Sequence, residues 1–228
     1  RLMEEERGIP KEFIAEKIAQ MVRDGYSYND MAVLYRANAS SRILEEVFMR
    51  KALPYRVLSG LRFYDRKEIR DMIAYLRLIK NPDDDISLKR IINVPKRGIG
   101  DSTVEKLELL AQENKTSMLE AIDKMEDGKT RSKLMGFLDM YTGFKEMCET
   151  NLPSKAIDEI INELNLMEEY IKEGEIEAKT RMENLEELIS VAAEYEEKDG
   201  ITTLTEFLEY ATLMTDTDVT EDDDKNTV

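Results

Sequence analysis

The stretch Ile92-Asn93-Val94-Pro95-Lys96-Arg97-Gly98-Ile99-Gly100-Asp101-Ser102-Thr103 collects residue types that can hold an anion. An apolar run stops at a proline, two cations follow, and a Gly-Ile-Gly turn leads into a helix for which Asp101 and Ser102 are the cap candidates. The glycines permit a sharp bend and close backbone approach. The first helical N–H groups, from about Thr103, have no acceptor in their own helix and sit at the positive end of its dipole. With Lys96 and Arg97 at the mouth, the fitting ligand is a phosphate gripped by several donors at once. Such a grip positions a protein on a duplex without reading its bases. The same residues also suit a plain helix-turn-helix corner, with glycines for packing and two solvated cations.

A second constellation surrounds two short apolar runs. Arg36 and Asn38 follow Asp30–Tyr35, and a loop after the second run carries Arg62, Phe63, Tyr64 and Arg66. Cations for phosphates and rings for bases suit a single strand of nucleic acid. Alternatively, Phe63 and Tyr64 staple the part before them to the part after. Gly128-Lys129-Thr130 imitates the end of a phosphate loop, but that loop needs a glycine five residues earlier, where Asp123 stands. No catalytic residue and no metal site is expected. The chain has no histidine and one cysteine, which removes zinc sites of the Cys/His type together with Ser-His-Asp and Cys-His sets. Acidic runs such as Asp83-Asp84-Asp85 read as solvated faces.

The net charge of −16 is unevenly distributed. From Arg36 to Lys106 there are 16 Lys and Arg against 10 Asp and Glu, so the basic character is regional and could orient a polyanion. At 228 residues and 42% hydrophobic composition the chain can bury a core. The single Cys148 excludes an internal disulfide, no run is long enough for a membrane span, and the first residues lack a signal-peptide pattern. A cytoplasmic location without membrane contact is expected.

Periodicity supplies the elements that position these residues. Phe13, Ile14, Ile18, Met21 and Val22 predict a helix closed by Gly25, and Asp30–Tyr35 reads as a strand buried on both faces. A helix from about Ser40 to Lys51 and a strand over Pro54–Leu58 complete a small α/β layer, whose C-terminal edge would present Arg36 and Asn38. From Lys67 the pattern is helical almost to the end, and the last dozen residues form an acidic linker. The fold expected is α+β and mostly α: a small, incomplete α/β piece, then a larger helical bundle.

Several blocks together carry a resemblance. Ala32-Val33-Leu34-Tyr35-Arg36-Ala37-Asn38, Pro54-Tyr55, Gly60-Leu61-Arg62-Phe63-Tyr64-Asp65-Arg66-Lys67-Glu68-Ile69-Arg70-Asp71, Tyr75-Leu76-Arg77 and Asn93-Val94-Pro95-Lys96-Arg97-Gly98-Ile99-Gly100 strongly resemble the UvrD/PcrA/Rep group of superfamily I DNA helicases, its PcrA branch above all. The resemblance covers about the first half of the chain. It implies a fragment of an ATP-dependent 3′–5′ helicase or translocase of DNA repair or replication. Residues 1–63 would be part of its second RecA-like domain (2A), 64–215 the helical insertion called 2B, and 216–228 the acidic linker. It further implies single-strand contacts at Arg36 and Asn38, with Arg62 beside them, and a grip on duplex phosphates at Gly98, Ile99 and Gly100. From their chemistry and position, Phe63, Tyr64 and Arg66 join the single-strand candidates, and Lys96, Arg97, Ser102 and Thr103 join the duplex candidates. Partners would be single-stranded and duplex DNA and the remaining helicase domains, with self-association of the fragment possible through an open sheet edge. ATP and Mg would belong to the parent enzyme, since the family's Walker motifs fall outside this sequence, and the fragment alone would hold no cofactor and be inactive. Two other readings compete: a free-standing helix-hairpin-helix duplex-binding module, against which the strand pair argues, and an acidic helical domain that binds a basic protein.

Overall fold

The computed structural model describes residues 11–35, 39–57, 62–215 and 228, with the side chains of 39–41 and 213–215 left aside. The chain divides into two compact units. One is built from Arg1–Arg66 and Leu213–Val228, the other from the intervening Lys67–Thr212.

In the first unit, α1 (Lys11–Arg23) and α2 (Ala39–Arg50) pack together. Ala15 and Ile18 of α1 meet Leu44, Val47 and Phe48 of α2 in a core closed by Leu53 and Tyr55, as the helical spacing of these residues requires. Met31 and Val33 pack against this cluster, whereas Leu34 is 95% exposed and Tyr35 38% exposed. The run 31–35 therefore alternates and is covered on one side, correcting the expectation of a strand buried on both faces. Among the described residues neither apolar run is a β-strand, because a strand needs a neighbour to complete its ladder. One pairing is present: the Val228 N–H donates to the Pro54 carbonyl (3.1 Å) and the Arg56 N–H to the Val228 carbonyl (3.0 Å). That alternation is the parallel pattern, centred on Tyr55. Here the helical part of the predicted fold holds, and the α/β layer does not form among the described residues.

The second unit is organised on α3 (Lys67–Lys80), buried nearly all round by Ile69, Met72, Ile73, Tyr75, Leu76, Leu78 and Ile79. A helix apolar on every side must be surrounded, and α4 (Asp85–Ile91), α7 (Lys129–Thr150) and α10 (Glu175–Lys198) pack on it. Its two buried acids are partnered. Asn184 Nδ2 of α10 donates to Glu68 Oε1 at 2.5 Å, and Asp71 pairs with Arg90 Nε of α4 at 2.7 Å. Burial pushes the Asp71 carboxyl above its ordinary value against the opposing pull of Arg90. Asp84 caps α4 by accepting the Ser87 N–H at 3.0 Å. The stripe Leu134, Phe137, Tyr141 and Phe144 seats α7, whose first turn follows a 3-10 turn at Ile122–Lys124 rather than a strand. Helices α5 (Asp101–Asn114) and α6 (Met118–Ala121) form one pair, and α8 (Pro153–Glu163) and α9 (Leu166–Ile171) both pack on α10. The last helix, α11 (Leu204–Thr215), buries Phe207, Leu208 and Ala211.

Candidate nucleic-acid interface

The corner between α4 and α5 is wired mainly by two side chains. Asn93 Oδ1 accepts the N–H groups of Arg97 (2.8 Å) and Ile99 (3.2 Å), pulling both ends of the turn together around a cis Val94–Pro95 peptide. Arg97 does the rest from within. The two N–H groups of its Nη1 are shared among the carbonyls of Ile91 (3.1 Å) and Ile92 (3.4 Å) at the end of α4 and those of Val94 (2.9 Å) and Pro95 (3.3 Å) in the turn that follows. Its Nη2 donates to the Tyr75 hydroxyl at 2.7 Å, and the guanidinium lies 5.4 Å from the centre of the Phe137 ring. Tyr75 in turn donates to the Val94 carbonyl, and burial raises its phenol to about 12 although Arg97 pulls the other way. Arg97 is thus turned inward. This differs from the expectation of a guanidinium standing at the mouth as a phosphate ligand, because carbonyls at the end of α4 and in the turn after it take its donors.

What faces outward is backbone. Gly98 has φ +69, a conformation that favours glycine, and both Gly98 and Gly100 are exposed. Ile99 between them is 2% exposed and plugs the turn from inside, so its side chain is an anchor rather than a contact. Gly100 is the N-cap of α5, one residue before the expected Asp101 or Ser102, and no side chain caps this helix. Thr103 and Val104 donate their N–H groups to the Gly100 carbonyl (2.9 and 3.2 Å), so the Thr103 amide is already partnered. The amides of Asp101 and Ser102 are the ones without an intrahelical acceptor. Ser102 is exposed and Thr103 half-buried, one turn into the helix.

Two charged neighbours come from elsewhere in the fold. Lys133 of α7 donates from Nζ to the Gly98 carbonyl at 2.8 Å. Glu169 of α9 faces the backbone N–H of the exposed Lys96 at 3.4 Å and pairs with Lys172 at 2.7 Å. Chiefly the Lys172 hydrogen bond, helped by the Lys96 N–H, holds the Glu169 carboxyl below its ordinary value. Neither residue carries a local sequence signal, because each is separated from the corner by more than 30 positions. The site offers amide and ammonium donors to an anion and contains no group set for bond-breaking chemistry. Among the described residues no cluster of acids and cysteine suits a metal ion.

The single-strand candidates are placed differently. Arg36 and Asn38 lie outside the described residues. Arg62 is half-buried, with Nε 2.6 Å from Asp65 Oδ2. Phe63 is fully buried and Tyr64 is 6% exposed, packed edge to face with ring centres 5.0 Å apart. Arg66 is buried with its guanidinium 5.3 Å from the Phe63 ring, and the Phe63 N–H donates to Glu45 Oε2 at 3.3 Å. The expectation that these two rings stack on bases is corrected: apolar rings beside a buried α2 carboxylate are taken up by packing, which leaves no face open.

Comparison with known proteins follows the same lines. The family described as "UvrD-like helicase C-terminal domain" matches residues 3–228. The protein named "ATP-dependent DNA helicase PcrA" of Staphylococcus epidermidis strain RP62A is 40% identical over 213 residues, and the protein of that name from Staphylococcus aureus strain COL is equally similar. The chain spans 29% of the length of these curated relatives, which align with 91% of it. No helix among the described residues is long and apolar enough to cross a membrane. With a family match that runs from residue 3 to the last residue, the chain belongs to the UvrD-like helicase C-terminal domain family.

Proposed function

We propose that this chain is the DNA-gripping and regulatory portion of an ATP-dependent 3′–5′ DNA helicase acting in repair or replication in the cytoplasm. The observation that carries the reading is the corner itself. Exposed Gly98 and Gly100 backbone stands at the uncapped N-terminus of the 14-residue α5, with Lys133 seated on it and Lys96 exposed beside it. Duplex phosphate is the ligand that suits several fixed donors and no base-reading side chain. Lys96, Gly98, Gly100, Ser102 and Thr103 approach it, while Ile99 and Arg97 hold the turn in shape. Asp101, at the first helical position, favours the helix dipole but repels an anion, which directs the phosphate toward the glycine side.

Residues 1–63 are assigned to the second RecA-like domain, 64–215 to its inserted 2B region and 216–228 to the acidic return. The chain's division supports this, because one unit takes residues from both sides of the other in sequence. The parallel pairing of Val228 with Pro54 and Arg56 supports a sheet that the rest of the parent would extend, or that a second copy could borrow. Arg36, Asn38 and Arg62 are assigned to the single strand, with the buried Phe63, Tyr64 and Arg66 holding the turn at Arg62 from inside. ATP and Mg are the parent's. The residues present here do not fit a nucleotide, since Gly128 opens α7 after a 3-10 turn while a phosphate loop follows a strand.

The test is a titration of labelled duplexes of unrelated sequence with the 228-residue chain at several salt concentrations. Dissociation constants on the order of 10⁻⁴ to 10⁻⁶ M are expected, alike for all sequences and weakening steeply with salt. Binding that ignored salt, or no binding at low salt, would contradict the reading.

A further inference from the structure

We infer that Lys133, carried by α7 and distant in sequence from the corner, is the side-chain cation that the corner presents to a duplex phosphate, in place of Arg97; this rests on the function proposed above. Lys133 is exposed, and its ammonium lies 2.8 Å from the Gly98 carbonyl. A Cβ on Gly98 would sit 2.7 Å from that same Nζ, so the lysine rests directly on the turn where a phosphate must approach. Glycine is favoured at 98 by its positive φ, and the ammonium occupies the space where a side chain would begin. An ammonium has three donors, of which one serves the Gly98 carbonyl and the others remain for an anion. Among the described residues Lys133 has no carboxylate partner. Arg97, by contrast, spends its guanidinium on four carbonyls, the Tyr75 hydroxyl and a ring face, and would have to release the end of α4 to reach outward. The corner therefore divides labour between an arginine that shapes the turn and a lysine that charges it. The compact, mobile ammonium suits a phosphate contact made without bidentate geometry.

The experiment compares wild type, Lys133→Gln, Lys133→Arg and Gly100→Val in duplex titrations across salt, with circular dichroism melts on each. Lys133→Gln is expected to lower the slope of log affinity against log salt by about 0.9 and to weaken binding roughly tenfold near 50 mM salt, as loss of one phosphate contact requires. Lys133→Arg should restore the slope. A lysine that merely propped the turn would change affinity or melting without changing the slope, and that result would overturn the inference. So would wild-type binding by Lys133→Gln alongside impaired binding by Gly100→Val, which leaves the corner reading standing. Wild-type behaviour of both variants would overturn the corner reading, and the inference with it.

Discussion

Arg97 shows how a residue that looks like a ligand becomes structure. Next to Lys96 in an exposed-looking Lys-Arg-Gly run, it has a guanidinium that nevertheless meets four carbonyls, two at the end of α4 and two in the turn after it, and the Tyr75 hydroxyl. Hydrogen bonds from a charged donor contribute about 1.5–3 kcal/mol each when their loss strands buried partners, though bonds sharing one group are not additive. Arg97→Ala is therefore expected to destabilise the protein by roughly 2–4 kcal/mol. Arg97→Lys should recover only part of that, because an ammonium cannot span the same set of acceptors. Urea unfolding measures both. An unchanged midpoint for Arg97→Ala, with duplex binding lost, would return the side chain to the role of ligand. The order of residues marked a tight turn ahead of a helix, but not which cation faces out of it. Gly98, Gly100 and the following helix were legible from their order alone, whereas the inward turn of Arg97 depends on Tyr75 and Phe137, and the outward cation on Lys133.

At the scale of elements, helices were legible and strands were not. Apolar spacing placed a helix at about Ser40 to Lys51 where α2 runs from Ala39 to Arg50, since a helix carries its own periodic face and its own hydrogen bonds. The runs expected as strands, Asp30–Tyr35 and Pro54–Leu58, depend on neighbours that spacing cannot supply, and Leu34 stands exposed. Helix ends also carry local wiring that can be tested. Thr203 and Glu206 form a reciprocal cap on α11: the Glu206 N–H donates to Thr203 Oγ1 at 3.3 Å, and Glu206 Oε2 accepts from the Thr203 hydroxyl (2.8 Å) and the N–H groups of Thr202 and Thr203 (3.1 Å each). The Thr203 hydroxyl, then the two amides, lower the Glu206 carboxyl below its ordinary value. A lowered carboxyl contributes stability that is present above its unfolded value and lost as pH falls through the folded one. Wild type should thus be more stable than Glu206→Gln at pH 7, with the gap closing as the solution is acidified through the carboxylate range. A gap that stayed constant with pH in urea titrations would show that the charge is irrelevant to the cap.

Across the whole molecule, charge is segregated. Between residues 153 and 215 there are 17 Asp and Glu against 5 Lys and Arg, while the corner presents Lys96 and Lys133 around exposed glycine backbone. One acid of that stretch, Glu169, reaches the corner, where it meets the Lys96 N–H and Lys172, so the donors left for a polyanion lie on the glycine and Lys133 side. The most direct test of the corner's grip is Gly100→Asp. Gly100 has φ −88 and open space where a side chain would go, so the fold accepts the substitution, and aspartate is a better N-cap than glycine. The new carboxylate would take the amides and the dipole that a phosphate needs. The measurement is a duplex titration at low salt, paired with urea unfolding of the same protein. The expected result is stability equal to or slightly above wild type together with loss of duplex binding. Equal stability with undiminished duplex affinity would contradict the central claim that this corner holds the phosphate.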